Sequence, residues 1–147
     1  MNDTTAAHVG SPENLAFWEA AGEGRLLVRR CTHCERPHYY PRAHCPFCAS
    51  SKTEWEVASG LGEIYSFSVI RRATPIYIPA YVTLSEGVTM LTNIVDCDPE
   101  GLRIGLPVRV TFRAVADGRQ APMFTPVASM HSGSPASRDI ASRSDSR

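Results

Sequence analysis

Lysine is almost missing from this chain of 147 residues: Lys52 stands alone beside fourteen arginines. Net charge is missing as well, since 15 basic residues meet 15 acidic ones. No global field therefore draws the protein to a polyanion or an acidic membrane surface. The arginine bias suits bidentate contact with phosphate or carboxylate, and a GC-rich genome produces the same bias with no function attached. No apolar run approaches the ~20 residues that cross a bilayer, which reads as a soluble protein. The first residues, MNDTTAAHVGSPEN, lack both a basic stretch and an apolar one, so no secretory leader is legible and the expected compartment is the cytoplasm.

Cysteines are few but ordered. Cys31, Cys34, Cys45 and Cys48 form C-x2-C-x10-C-x2-C, the spacing of two knuckles that close around one tetrahedral metal ion. Disulfides are disfavoured in a reducing compartment. A thioredoxin-like pair would need a single C-x2-C ahead of a helix. Structural zinc is the expected cofactor, and iron is the alternative that four sulfurs also suit. Four thiolates leave no position open for water or substrate, so such a centre holds a fold and performs no reaction. His33 and His44 adjoin ligands and read as polar loop residues; Cys97 reads as a small buried hydrophobe.

The rest of the chain divides by composition. Residues 1–10 and 129–147 are expected to be disordered, the latter with seven serines in nineteen positions. Ser11, Pro12 and Glu13 predict a helix start, and the helix should reach Gly22 or Gly24. Its apolar face is read as Leu15, Trp18 and Ala21, with Phe17 pointing elsewhere. Residues 25–54 are assigned to the ribbon, with Arg25–Arg30 as the strand entering it. Residues 55–128 are assigned to a barrel. Strands are predicted at 62–70, 80–84, 88–95, 108–115 and 123–127, punctuated by Ser85-Glu86-Gly87 and Gly105-Leu106-Pro107. In the first of them Ile64, Ser66, Ser68 and Ile70 are placed on one face, with Tyr65, Phe67 and Val69 on the other. Five short strands behind a ribbon predict a mainly β protein: an N-terminal helix, a rubredoxin-like zinc ribbon and a five-stranded OB-fold barrel.

Taken in order, FWEAA, RLLVRRC, CTHC, YYPR, CPFC, Trp55, SGLGEIYSFSVI, PAYVTLSEG, IGLPVRVTF and PMFTPV resemble the zinc-ribbon plus OB-fold proteins of domain-of-unknown-function family 35, over about residues 14–128. Two departures occur where that family usually has glycine after each cysteine pair: Glu35 and Ala49 stand there. The resemblance implies an accessory role. Members pair with thiolase-like enzymes, hot-dog acyl-CoA hydratases or steroid side-chain aldolases, and some help to hold the acyl-CoA. The expected partner is thus a catalytic subunit of acyl-CoA metabolism.

The residues agree with a non-catalytic reading, because no nucleophile–base set assembles: His38 and His44 fall in the ribbon loop, His8 and His131 in the chain ends, and Cys97 lacks a base. Asp96 and Asp98 read as turn residues. Outside the metal, Arg71 and Arg72 are the ligand candidates. They open the apolar, proline-pinned loop 73–79, expected at a partner interface, where they would meet CoA phosphates or partner carboxylates. The rival class is a single-stranded nucleic-acid module, with Tyr65, Phe67 and Tyr81 as stacking rings. Zero net charge and the lack of a basic stripe weigh against it.

Overall fold

The computed structural model describes residues 12–127. The expectations for the two chain ends, and for Ser11 as helix cap, lie outside these residues. A 3-10 turn at Pro12–Asn14 leads into α1 (Leu15–Gly22). Three strands follow, β1 (Leu27–Cys31), β2 (Pro37–His38) and β3 (Thr53–Val57), paired antiparallel in the order β2-β1-β3. Then come β4 (Leu61–Phe67), β5 (Pro79–Leu84), β6 (Thr89–Asn93), β7 (Pro107–Ala114) and β8 (Gln120–Pro126), a five-stranded sheet in the order β6-β5-β4-β7-β8. The sheet curls until its ends meet: Ile94, just past β6, bridges Phe124 of β8 in parallel, and the Val95 amide donates to the Phe124 carbonyl. That parallel closure of an otherwise antiparallel sheet is consistent with the expected OB fold.

The interior of the curl is filled by side chains. Ile64, Val82, Met90, Val108 and Phe124 are buried from their respective strands. The same core runs on without a break into Phe17 and Ala20 of α1 and into Leu26, Leu27 and Val28 at the start of the ribbon. β3 joins the two sheets, pairing along β1 from Leu27–Val57 to Cys31–Thr53 and ending four residues before β4 begins.

Three local readings need correction. The buried face of α1 is Phe17, Ala20 and Ala21, whereas Leu15 is exposed. Phe17 packs edge-on against Trp18 and tilts against Tyr39 and Tyr40 of the ribbon, so the helix turns its phenyl ring toward a surface that its own periodicity does not reveal. β2 and β3 are both absent from the sequence reading; β2 has two residues, and β3, TEWEV, alternates charged and apolar positions without a long apolar run. Third, the strict alternation expected through 62–70 fails at Tyr65. Ile64 pairs with Val82, but Ser66 pairs with Tyr81, leaving Tyr65 as the extra residue of a bulge. Beyond it the inward face switches, so Phe67 and Val69 pack on the core and Ile70 is exposed.

Candidate functional site: a four-cysteine metal centre and the barrel surface

Each C-x2-C pair is built the same way. The Cys31 amide donates to the Arg36 carbonyl at 3.0 Å, and the Cys45 amide donates to the Ser50 carbonyl at 2.9 Å, so each chain segment doubles back over the same five-residue interval. The turn that permits this is left-handed, with Glu35 at φ 60° and Ala49 at φ 61°. These are the two positions where glycine was expected, and the backbone angle explains the expectation. Amides inside the knuckles point at sulfur: Cys34 N–H donates to Cys31 Sγ at 3.5 Å and Phe47 N–H to Cys45 Sγ at 3.4 Å.

The four sulfur atoms all lie within 4.8 Å of one another, with Cys31–Cys48 and Cys34–Cys45 each at 3.6 Å. A zinc ion with bonds of about 2.3 Å sets tetrahedral sulfur edges of about 3.8 Å, so the cluster fits zinc in both number and spacing. These separations are far too long for disulfides, and all four cysteines are free. The four thiols are split in pairs: Cys31 and Cys45 are drawn below the ordinary thiol range, and Cys34 and Cys48 are pushed above it. Cys31 is drawn down to about 6, first by the Cys34 amide and against the cost of burial. Cys48 is pushed up to about 12: the Ser50 amide lowers it, but burial and the neighbouring sulfurs together outweigh that amide. A dication would supply the charge that lets four such groups ionise together. Four protein ligands saturate it, and its contribution is to hold the knuckles, β1 and β3 in one unit.

Around the cluster, His33 and His44 are exposed on the knuckles. His38, expected in the loop, is instead buried on β2 opposite Arg29, and burial holds its imidazole below the ordinary range. Arg29 stacks 4.5 Å over Trp55 and donates to Thr53, while Arg30 pairs with Glu56, tying β1 to β3 through side chains as well as the ladder. α1 is clamped from the other side, where Arg119 lies 4.2 Å over Trp18 and pairs with Asp117. The Asn14 amide meets the Tyr40 hydroxyl.

On the barrel, Arg71 and Arg72 are exposed at the turn of a hairpin that extends β4 and β5, closed by the Ile70–Tyr77 bridge. Arg71 pairs with Glu100; among the described residues Arg72 has no ion pair. The loop's apolar residues Ile76 and Tyr77 are exposed, as is Ile70. Asp98 caps a 3-10 turn at Pro99–Gly101, and Asp96 takes φ 53° and pairs with Arg113, so both serve the turn. Cys97 is half-buried against the core, and burial raises its thiol. Of the three candidate stacking rings, Tyr65 and Tyr81 are exposed on the outer face and Phe67 packs inward. Alternation puts Tyr65 and Phe67 on one face, and the bulge between them separates the two.

Comparison with known proteins agrees with this architecture. A family described as "ChsH2, rubredoxin-like zinc ribbon domain" matches residues 18–54, and "ChsH2, C-terminal OB-fold domain" matches residues 55–113. A DUF35 domain-containing scaffold protein of Methanothermobacter thermautotrophicus is 37% identical over 99 residues, covering 63% of this chain and 74% of that protein. The chain belongs to the DUF35 family. A second DUF35-type match is longer than this chain: a probable enoyl-CoA hydratase alpha subunit of Thermomonospora curvata is 34% identical over 118 residues, 76% of this chain but only 37% of that subunit. The DUF35 fold is also found in the solved "Ltp2-ChsH2(DUF35) aldolase", with a TM-score of 0.70 and 30% identity, covering 81% of this chain and 98% of that one. Among the described residues no helix is long and apolar enough to cross a membrane.

Proposed function

We propose that this protein is a non-catalytic accessory subunit that docks on an acyl-CoA-processing enzyme of the thiolase-like, hydratase or aldolase kind. The observation that carries the reading is its likeness, over most of its length, to an enoyl-CoA hydratase alpha subunit and to the DUF35 chain of an aldolase. The chain itself supports it in two ways. Its metal cluster is closed by four thiolates and has no place for a substrate. Buried side chains from its strands occupy the interior of its barrel, which leaves the outer surface as the face offered to a partner.

Arg71 and Arg72 are proposed to meet CoA phosphates or partner carboxylates, Arg72 being the one without an ion-pair partner among the described residues. The test is affinity purification from the native cell, with acyl-CoA turnover measured on the complex. Recovery of a thiolase, hydratase or aldolase whose activity falls when this chain is removed is the expected result; recovery of no such enzyme overturns the reading. In the purified complex, Arg71→Ala with Arg72→Ala should weaken binding of acyl-CoA or of the partner about tenfold, and unchanged affinity for both removes the arginines from the proposal.

Exposed Tyr65 and Tyr81 favour one rival, single-stranded nucleic-acid binding by base stacking. A salt titration with an oligonucleotide separates the two, since such binding falls steeply as salt rises.

A further inference from the structure

The outer face of the barrel carries apolar surface that the fold does not use. On adjacent strands, Tyr65 is 65% exposed, Tyr81 47% and Leu91 58%. Tyr81 and Leu91 are direct cross-strand partners, and Tyr65 stands at the bulge opposite the Val82–Tyr81 step. Side chains in such positions ordinarily alternate polar-out on a half-solvated sheet. One register step along, the same face does so: Thr83 and Thr89 are paired and joined by their hydroxyls. The apolar row is therefore local. By alternation from buried Ile64, Tyr65 faces outward, and the bulge then places Ser66 opposite Tyr81 beside it before Phe67 turns in.

Two features make the row a docking surface. Beside it lies a shallow groove of about 210 Å³, lined by Phe67, Ala80, Tyr81 and Leu91 among others, with room for one large side chain. Beyond it the same two strands run on into the hairpin that exposes Ile70, Ile76 and Tyr77. With each of these six side chains offering on the order of 100 Å², the open apolar surface is roughly 600 Å², against ~800 Å² that each partner gives to a standard protein interface. That stands at the upper end of the largest apolar patch a typical monomer exposes, about 300–600 Å², and patches of that size are often functional. Aromatic and long aliphatic anchors beside a groove, with Arg71 and Arg72 at the hairpin turn, have the composition of an interface centre with a charged rim.

Resting on the proposed accessory role, we infer that Tyr65, Tyr81 and Leu91 form the centre of the surface that seats the catalytic subunit, with the 68–78 hairpin gripping alongside it. The occupant is a folded protein surface that offers one bulky apolar side chain to the groove and carboxylates to the hairpin's arginines. The ribbon knuckles are outside this contact.

The experiment takes the acyl-CoA enzyme subunit that co-purifies with the chain and titrates it, separately purified, against full-length zinc-loaded variants. Tyr81→Ser with Leu91→Asp should bind at least about 100-fold more weakly, because two central anchors are lost. Tyr65→Ser alone should bind about tenfold more weakly. Arg36→Ala, on the ribbon, should bind as the wild type does. Zinc content and melting temperature equal to wild type show that the variants are folded, as expected for exposed positions. If the enzyme subunit binds the double variant undiminished, the surface is elsewhere and the accessory role stands. If no acyl-CoA enzyme co-purifies, the accessory role falls and this inference with it. If the isolated chain is a dimer that the double variant converts to monomer, the occupant is a second copy and the inference is overturned.

Discussion

At the residue scale, four sulfurs and two backbone angles define the metal centre. The cysteine spacing was legible because a knuckle is a local object: its two ligands and its amide donors lie within a few residues of one another. Glu35 and Ala49 were legible only through the family resemblance, as departures from its usual glycines, and both take the positive φ that those glycines would. Ala49→Gly should therefore stabilise the zinc-loaded protein by about 0.5–1 kcal/mol, since glycine holds φ near 60° without the Cβ conflict that an L-residue suffers there. Thermal melting with zinc in excess measures this, and a melting temperature below that of wild type contradicts the strain argument. Phe17 was not legible. Its burial depends on Tyr39 and Tyr40, more than twenty positions away, and helical periodicity carries no information about which face a distant aromatic pair will cover.

Elements are where sequence and structure part most. β7 and β8 were read nearly as they occur, because apolar and polar positions alternate through a long ladder that runs from Val108–Pro126 to Ala114–Gln120. β2 and β3 were missed: their stability comes from pairing with β1, from the Arg30–Glu56 pair and from the metal, all of them tertiary. In β4 the bulge overturns the face assignment that regular alternation gives beyond Tyr65, as one inserted residue does. The start of β4 also lies close against β5. A Cβ on Gly62 would stand 2.5 Å from the Thr83 carbonyl and 3.2 Å from the Leu84 Cα, both backbone atoms of β5 that cannot swing aside. Gly62→Ala should accordingly destabilise the protein by about 2 kcal/mol or more, by prising β4 from β5. Chemical denaturation checks this; a loss under about 0.5 kcal/mol would mean that the two strands have slack.

Among the described residues the two sheets share one buried core. Phe17, Leu26, Val28 and the barrel's Ile64, Val82 and Phe124 belong to a single buried cluster, and β3 is shared between ribbon and connection to the barrel. Metal binding energy is then folding energy for more than the ribbon. Stripping zinc with a chelator should lower the melting temperature of the barrel as well, and zinc release on heating should coincide with loss of near-ultraviolet signal from Trp18 and Trp55, one at the helix and one in the ribbon sheet. A barrel that melts unchanged after the metal has gone would show that the continuous core is not cooperative. This scale was the least legible in the sequence, which displays the modules in order but not the core they share.

The solid packing of the barrel separates two tasks that many binding proteins must reconcile. Ile64, Met90 and Phe124 belong to the buried cluster, while Tyr65, Tyr81 and Leu91 stand on the outer face of the same sheet and lie outside that cluster. Substitutions that retune what the outer face recognises are free of the usual penalty in folding, so a lineage of such chains can exchange one enzyme for another by rewriting a few outward positions and leaving the inward ones alone.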